Sequence, residues 1–273
     1  MLTYPQVSPE IFSIGPLSVR WYGFMYVLGF LSAWLLGRNR AKRQKKLGGP
    51  FNVQQFDDVL VWGLLGVIVG ARLGYVLFYQ FSFYISNPLE IFILTRGGMS
   101  FHGGLIGVIL FQWLAGRRHG SGLLRTMDFV APLVPPGLFF GRIGNFINGE
   151  LWGRHTALPW GMVFPDREAG PLPRHPSQLY EAALEGLLLF AILWLYSAGK
   201  KRGSKIEPRP TGAVSGLFLI GYGSFRFIVE FAREPDAHLG FLFGGWLTMG
   251  MLLCLPMLAL GTFLMWMAYR KKA

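Results

Sequence analysis

Residues 59–81 read VLVWGLLGVIVGARLGYVLFYQF, an apolar run in which Arg72 is the only charged residue. A membrane hydrocarbon core of about 30 Å is crossed by about 20 apolar residues in a helix. Within lipid a helix satisfies all its own backbone hydrogen bonds, so a single apolar segment of this length is predicted to be helical. The run therefore predicts a transmembrane helix.

Six further stretches have a similar apolar character, at 21–37, 99–116, 129–146, 179–197, 213–231 and 241–267. The composition agrees with a membrane protein: 52% of the 273 residues are hydrophobic and 15% are charged, whereas soluble domains carry about 25% charged residues. There is no internal repeat and no long linker. We therefore predict an all-α polytopic membrane protein with seven transmembrane helices, forming a single integral membrane domain over residues 1–273.

The basic residues indicate the orientation of the chain. Seventeen of the 26 Lys and Arg residues fall after every second stretch, at 38–46, 117–125, 200–209 and 270–272. Loops rich in Lys and Arg remain on the cytoplasmic side of a membrane. This pattern predicts an external N-terminus and a cytoplasmic C-terminus. The net charge of +12 is explained by this placement, so it does not indicate a nucleic-acid partner.

The nine remaining basic residues are all arginines, whose planar, permanently charged side chains match phosphate and carboxylate oxygens. Arg20, Arg96 and Arg167 are explained better by side chains that reach into water or pair with local carboxylates. Arg142 and Arg226 lie inside predicted membrane helices, where an unpaired charge costs about 3 kcal/mol or more. They indicate an anion site.

Two interpretations remain open for each of Arg226 and Arg72. Glu230 follows Arg226 by four residues, on the same helical face. The two side chains either form a purely structural ion pair or Glu230 orients Arg226 towards a bound phosphate. Arg72 lies in a glycine-rich run, and helix packing with an internal partner explains it as well as a binding site does.

The predicted topology gathers polar residues at the external ends of five helices. They are Tyr22, His102, Arg142, Asn145, Gln178, Tyr180, Glu181, Arg226 and Glu230. This convergence indicates a site at the level of the outer lipid headgroups. No zinc-binding, phosphate-loop or serine-hydrolase motif is present, and the single Cys254 lies in an apolar run typical of an inert core thiol. We therefore expect chemistry that uses neither a metal nor another cofactor.

Several sequence motifs resemble those of one enzyme family. They are GRIGNFINGELWGR at 141–154, SFHGGL at 100–105, WYG at 21–23, RHPSQLYE at 174–181 and RFIVEF at 226–231. Together they closely resemble the signatures of bacterial phosphatidylglycerol–prolipoprotein diacylglyceryl transferases, over almost the whole chain. One departure is Met251, at a position where the family often has Gln.

The resemblance implies an inner-membrane enzyme with its active site towards the external, periplasmic face. Its partners would be membrane lipids, among them phosphatidylglycerol, and preprolipoprotein signal peptides with a lipobox cysteine. The enzyme would transfer diacylglyceryl to the cysteine thiol, forming a thioether and releasing glycerol phosphate, the first step of lipoprotein maturation.

The resemblance also implies roles for particular residues. Arg142 and Arg226 would bind the phosphate and stabilise the leaving group. The catalytic set would include Glu150, Glu230 and His102, the last as a candidate general base whose necessity is open. Tyr22, Asn145 and Gly153 match positions that bind phosphatidylglycerol in the family.

Two other classes of protein compete with this interpretation. An anion or lipid transporter would also use buried arginines, but it would be expected to show repeated halves and a site near the membrane midplane. A structural membrane protein would not need polar groups from five helices at one interface. The sequence itself favours an enzyme.

Overall fold

The structure is a computed structural model that describes residues 2–5, 7–15, 17–45, 48–94, 97–202, 205–235 and 240–270. Four basic residues considered above, Lys46, Arg96, Lys271 and Lys272, lie outside these ranges. The chain divides into two compact units, one formed by Gly37–Phe129 and the other by Met1–Leu36 with Val130–Ala273. The single-domain organisation stays a prediction.

The described residues are mainly helical. The helices are α1 (Trp21–Lys45), α2 (Val53–Phe78), α3 (Phe81–Ser86), α4 (Phe101–Arg118), α5 (Leu123–Val130), α6 (Val134–Asn148), α7 (Ser177–Glu181), α8 (Leu189–Ser197), α9 (Ala213–Val229) and α10 (Met249–Arg270). Short 3₁₀ helices span Pro88–Phe92, Ala131–Leu133 and Arg167–Ala169, and a π-helix spans Ala182–Leu188. Two antiparallel hairpins pair β1 (Glu10–Ile14) with β2 (Leu17–Arg20) and β3 (Lys200–Arg202) with β4 (Lys205–Glu207).

Each of the seven predicted stretches falls largely on a helix. Within the described ranges, four helical segments are long and apolar enough to cross a membrane: Val53–Phe78, Leu123–Asn148, Ser177–Ser197 and Met249–Arg270. The helices α1 and α4 end in basic residues, and α9 is only 17 residues long. The prediction of a mainly helical membrane protein is confirmed, whereas the count of seven spans and the placement of the termini stay predictions.

The last predicted segment begins later than the sequence indicated. Residues 241–248 are not helical, because Gly244 and Gly245 adopt positive φ angles of 59° and 70° and a bridge joins Phe243 to Leu247. Near the start of α10, the hydroxyl oxygen of Thr248 accepts a hydrogen bond of 3.3 Å from the backbone N–H of Met251. The two hairpins are a second difference, since an all-α chain was predicted.

In the unit Gly37–Phe129, α2 and α4 pack through glycines. A Cβ atom at Gly74 would lie 2.7 Å from the Cα atom of Gly103, so larger residues would force the helices apart. The same close approach explains why Gly103 follows His102 at the start of α4.

Arg72 is a structural residue of this unit. Its guanidinium group donates hydrogen bonds of 2.6–3.1 Å to the backbone carbonyl oxygens of Glu90, Ile91, Ile93, Gly97 and Gly98. All five N–H donors of an arginine can be satisfied by this set. Arg72 thereby fixes the chain that leads into α4, and the packing interpretation of this residue is the one that its contacts support.

In the other unit, α9 packs against α10 where a Cβ atom at Gly261 would lie 2.8 Å from the carbonyl oxygen of Gly216. An apolar cluster joins Tyr4 to the segment between α6 and α7, which contributes Met162, Phe164 and Ala169. Phe146 and Trp152 pack against this cluster. The Tyr4 hydroxyl donates to the carbonyl oxygen of Phe146, near the end of α6. These contacts fix the end of α6, where four of the eight predicted site residues lie.

Candidate functional site

The end of α6 carries a hydrogen-bonded polar group. Gly149 ends this helix in the left-handed conformation, with φ at 71°, which glycine adopts without strain. The chain then turns back, so that the side-chain amide of Asn145 donates to Glu150 Oε1 at 2.8 Å. Tyr22 interacts with Asn145 and lies beside Gly144, while its hydroxyl oxygen is 3.0 Å from that of Tyr26.

An ion-pair network begins beside this group. Arg142 Nε pairs with Glu181 Oε2, and Arg226 Nη1 lies 3.2 Å from Glu181 Oε1. Arg226 Nη2 also lies 3.0 Å from Glu230 Oε2, four residues further along the chain. The Glu181 side chain is only 1% exposed, whereas those of Arg142 and Arg226 are 20% and 15% exposed. Arg226 and Glu230 therefore do form an ion pair, but Arg226 also pairs with Glu181 of α7.

Two further charged residues extend the network. Arg233 Nη1 lies 2.9 Å from Glu181 Oε1, and Arg233 Nε lies 3.4 Å from Glu230 Oε2. Glu185 is fully buried in the π-helix, 3.9 Å from Arg226 Nη1. π-helical turns within α-helices occur frequently at functional sites. The network thus combines three arginines with three glutamates.

Gly153 lies in the segment after α6 and contacts both the chain before α7 and the chain after α9, where it forms a bridge with Arg233. Its backbone N–H donates to the carbonyl oxygen of His175 at 2.9 Å, and a Cβ atom at this position would lie only 2.8 Å from the Cβ atom of His175. The neighbouring Arg154 donates to the carbonyl oxygens of Arg233 and Glu230 at 2.7 and 3.1 Å. Gly153 is therefore needed for close packing beside the charged network.

A row of hydrogen bonds lies next to Gly153. Trp160 Nε1 donates to the Tyr180 hydroxyl at 2.7 Å, and that oxygen is 3.1 Å from His175 Nδ1. Burial, together with the positive charge of Arg154, lowers the pKa of His175. This imidazole is therefore neutral at neutral pH, since an unperturbed histidine has a pKa of about 6.5.

The structure brings together seven of the eight predicted site residues in one unit. They are Tyr22, Arg142, Asn145, Glu150, Gly153, Arg226 and Glu230. The eighth, His102, lies on α4 in the other unit, where its ring contacts that of Phe101 and its side chain is exposed. The roles assigned to these eight residues stay predictions.

Sequence reasoning did not assign a role to Glu181, Glu185 or Arg233. The signal was present: Glu181 and Glu185 are four residues apart, and Arg226, Glu230 and Arg233 follow at intervals of four and three. Such spacings place side chains on one face of a helix. Charges at this spacing, along two predicted membrane helices and just beyond the second, are expected to pair with each other.

Within the described ranges, no group of three His, Cys, Asp or Glu side chains is arranged to hold a metal ion. Cys254 is buried, and its Sγ atom donates to the carbonyl oxygen of Gly250 at 3.1 Å. What the network offers to a ligand is a set of guanidinium N–H groups that can bind anionic oxygens.

The chain matches the family described as prolipoprotein diacylglyceryl transferase over residues 9–267. It is 58% identical to a protein of Nitratidesulfovibrio vulgaris (strain DP4), with 97% of this chain and 96% of the relative covered. It is also 58% identical to a protein of Oleidesulfovibrio alaskensis, with 100% and 97% covered. A protein of Pseudomonas aeruginosa (strain LESB58) is 55% identical, with 100% and 98% covered. All three relatives carry the name phosphatidylglycerol–prolipoprotein diacylglyceryl transferase.

Proposed function

Because this chain belongs to the prolipoprotein diacylglyceryl transferase family, we propose that it transfers diacylglyceryl from phosphatidylglycerol to the lipobox cysteine of preprolipoproteins. In this reaction the cysteine sulfur forms a bond to the third glycerol carbon of the diacylglyceryl group. The bond between that carbon and the phosphate oxygen breaks, and glycerol phosphate leaves. The thiol gives up one proton, and the product is a thioether.

The observation that carries the mechanism is the meeting of Arg142 and Arg226, from α6 and α9, at one carboxylate. Two guanidinium groups that converge on a pair of oxygens can equally converge on the oxygens of a phosphate. As the carbon–oxygen bond breaks, negative charge grows on the departing phosphate. Preorganised donors stabilise such charge strongly in a site that excludes water.

The residues around the arginines position them and the lipid headgroup. Asn145 connects Arg142, whose Nη1 atom lies 3.5 Å from Asn145 Oδ1, to Glu150. Tyr22 adds a hydroxyl group beside Asn145. We assign these residues to binding of phosphatidylglycerol, with Gly153 allowing the close packing of the chain beside them. Glu150 and Glu230 act in catalysis by holding Asn145 and Arg226, respectively.

The thiol must lose its proton before or during the attack on carbon. His102 is the residue that we propose as the general base, because imidazole accepts a proton near neutral pH. Since the nucleophile comes from the substrate, no cysteine of the enzyme takes part in this mechanism.

We further propose that the protein is a single multi-pass domain of the bacterial inner membrane. Its N-terminus would be external, its C-terminus cytoplasmic, and its active site would face the periplasm. The support for this orientation is the concentration of Lys and Arg after every second apolar stretch.

Transfer can be tested directly with the purified protein in detergent. The substrates are phosphatidylglycerol with a labelled acyl chain and a lipobox peptide, with a peptide carrying Ser in place of Cys as the matched control. We expect label on the Cys peptide only, together with release of glycerol phosphate. Absence of transfer to the Cys peptide would overturn the proposed function.

A further inference from the structure

The carboxylate of Glu181 is surrounded by three arginines from three parts of the fold. Its Oε2 atom pairs with Arg142 Nε of α6, and its Oε1 atom lies 3.2 Å from Arg226 Nη1 of α9. The same Oε1 atom lies 2.9 Å from Nη1 of Arg233, which follows α9. Three guanidinium groups around one buried anion form the kind of arrangement that recognises a phosphate.

The end of the Arg226 side chain is shared by three carboxylates, of which that of Glu185 is the most distant, 3.9 Å from Nη1. The Nη1 atom faces Glu181, and the Nη2 atom lies 3.0 Å from Glu230. Glu230 has other contacts that hold it in place, because it accepts a hydrogen bond from Thr248 Oγ1 at 3.0 Å and faces Arg233 Nε at 3.4 Å. Glu181 differs from Glu230 in that both of its other partners, Arg142 and Arg233, are arginines.

Among the residues that the structure describes, Glu181 is the carboxylate that pairs with both Arg142 and Arg226. A phosphate that bridges these two arginines in place of the carboxylate would bind the same Arg142 Nε and Arg226 Nη1 groups. Two anions cannot share one set of donors without strong repulsion in a buried site. A bridging phosphate and Glu181 therefore compete.

We infer that Glu181 is an internal competitor of the substrate phosphate, which gives up Arg142 and Arg226 when phosphatidylglycerol binds and keeps its contact with Arg233. The inference rests on the proposed function, since it takes the phosphodiester of phosphatidylglycerol as the ligand. Glu181 forms and breaks no covalent bond in this scheme. It is a positioning residue that holds two arginines in place between turnovers.

Such competition favours the lipid over soluble phosphates. Phosphatidylglycerol brings two acyl chains, whose burial contributes binding free energy that helps to displace the carboxylate. Glycerol phosphate lacks these chains, so the tethered carboxylate, present at high effective concentration, returns to the arginines. Glu181 would thus promote release of the water-soluble product.

The test measures binding of glycerol phosphate to the detergent-purified full chain by calorimetry, without lipid or peptide substrate. Glu181→Gln keeps the shape of the side chain but removes the competing charge, and we expect its Kd to fall about tenfold relative to the original protein, the size of one charge-assisted contact. Glu234→Gln is the matched control, because it removes the same charge close by, from an ion pair with Arg174 (3.0 Å) that involves none of the three arginines around Glu181. For this control we expect the Kd of glycerol phosphate to change by less than about threefold.

Three results would overturn the inference. Equally tighter binding of glycerol phosphate to both variants would be explained by the change of net charge alone. Unchanged binding to Glu181→Gln would show no competition, and weaker binding would show that Glu181 only organises the arginines. If Glu181→Gln does not insert into the membrane, Glu181→Asp takes its place. This shorter carboxylate cannot reach all three arginines at once, so we expect about threefold tighter binding, and unchanged binding would overturn the inference. Failure of the proposed function is a separate result, the absence of transfer by the unaltered protein.

Discussion

Arg142 and Arg226 lie on different helices and contact opposite oxygens of the same buried carboxylate, that of Glu181. The two arginines are thereby held with their N–H groups directed at one small volume. Holding two cations so close together is unfavourable unless an anion lies between them. Their separation is therefore set for an anion, which is the basis of the mechanism proposed for this family member.

The ion pair between Arg226 and Glu230 can be tested by removing both charges. In Arg226→Gln with Glu230→Gln no unpaired charge is left between these two positions, and Glu181 retains Arg142 and Arg233. We expect a folded, inserted protein whose transfer rate is reduced by at least about a hundredfold, the cost of one preorganised donor. The measurement is labelled diacylglyceryl transfer at equal protein abundance. Near-original transfer in the double variant would remove Arg226 from the list of phosphate ligands.

The role of His102 can be separated from packing by its pH dependence. If His102 accepts the thiol proton, His102→Gln should be severely impaired at pH 7 and should regain activity as the pH approaches the free thiol pKa of about 8.5. The sign follows because thiolate forms without a base only as the pH rises towards that value. Transfer rates from pH 6.5 to 9 provide the test. A modest loss that is the same at every pH would assign His102 to packing or substrate placement.

Gly153 offers a test of the close packing beside the network. A Cβ atom there would lie 2.8 Å from the Cβ atom of His175, so Gly153→Ala should destabilise the protein by about 1–3 kcal/mol, as overpacking typically does, and should lower transfer. Gly141→Ala is the matched control in the same motif, because a Cβ atom at Gly141 meets no atom within 4 Å. Thermal unfolding in detergent and transfer rates report the two effects. Equal thermal stability and equal transfer rates in the two variants would show that Gly153 is not needed for close packing.

The orientation can be tested by cysteine labelling in a Cys254→Ala background. Lys42→Cys lies in the basic end of α1, and Asp166→Cys lies in the segment between α6 and α7. With a membrane-impermeant thiol reagent applied from outside, we expect labelling of the second position only. Labelling of both positions from the same side would contradict the predicted topology.

The sequence predicted the helices and most of the site better than it predicted the connections. Apolar length alone indicated helices because a membrane leaves few alternatives for the backbone. The turn at 241–248 was missed because apolar residues surround Gly244 and Gly245, so the hydropathy pattern did not show the break. Arg72 could not be assigned, since its carbonyl partners at 90–98 are set by the fold and not by side-chain type.

The polar site was partly predictable for a similar reason. Charged residues at the ends of membrane helices had to be satisfied together, and seven of the eight predicted site residues do lie in one unit. That Glu181 joins Arg142 to Arg226 could not be deduced, because the three residues come from separate helices whose packing depends on the whole fold.

Binding of the phosphate by the planar guanidinium groups of Arg142 and Arg226 can be tested by the transfer rates of Arg142→Lys and Arg226→Lys. Lysine keeps the positive charge but cannot make two parallel hydrogen bonds from one rigid plane. At equal insertion and abundance, we predict that each variant loses about 3 kcal/mol of transition-state stabilisation, more than a hundredfold in rate. Rates within about threefold of the original, as expected for exposed charge interactions of 1 kcal/mol or less, would show that the two arginines act as point charges and not as planar phosphate ligands.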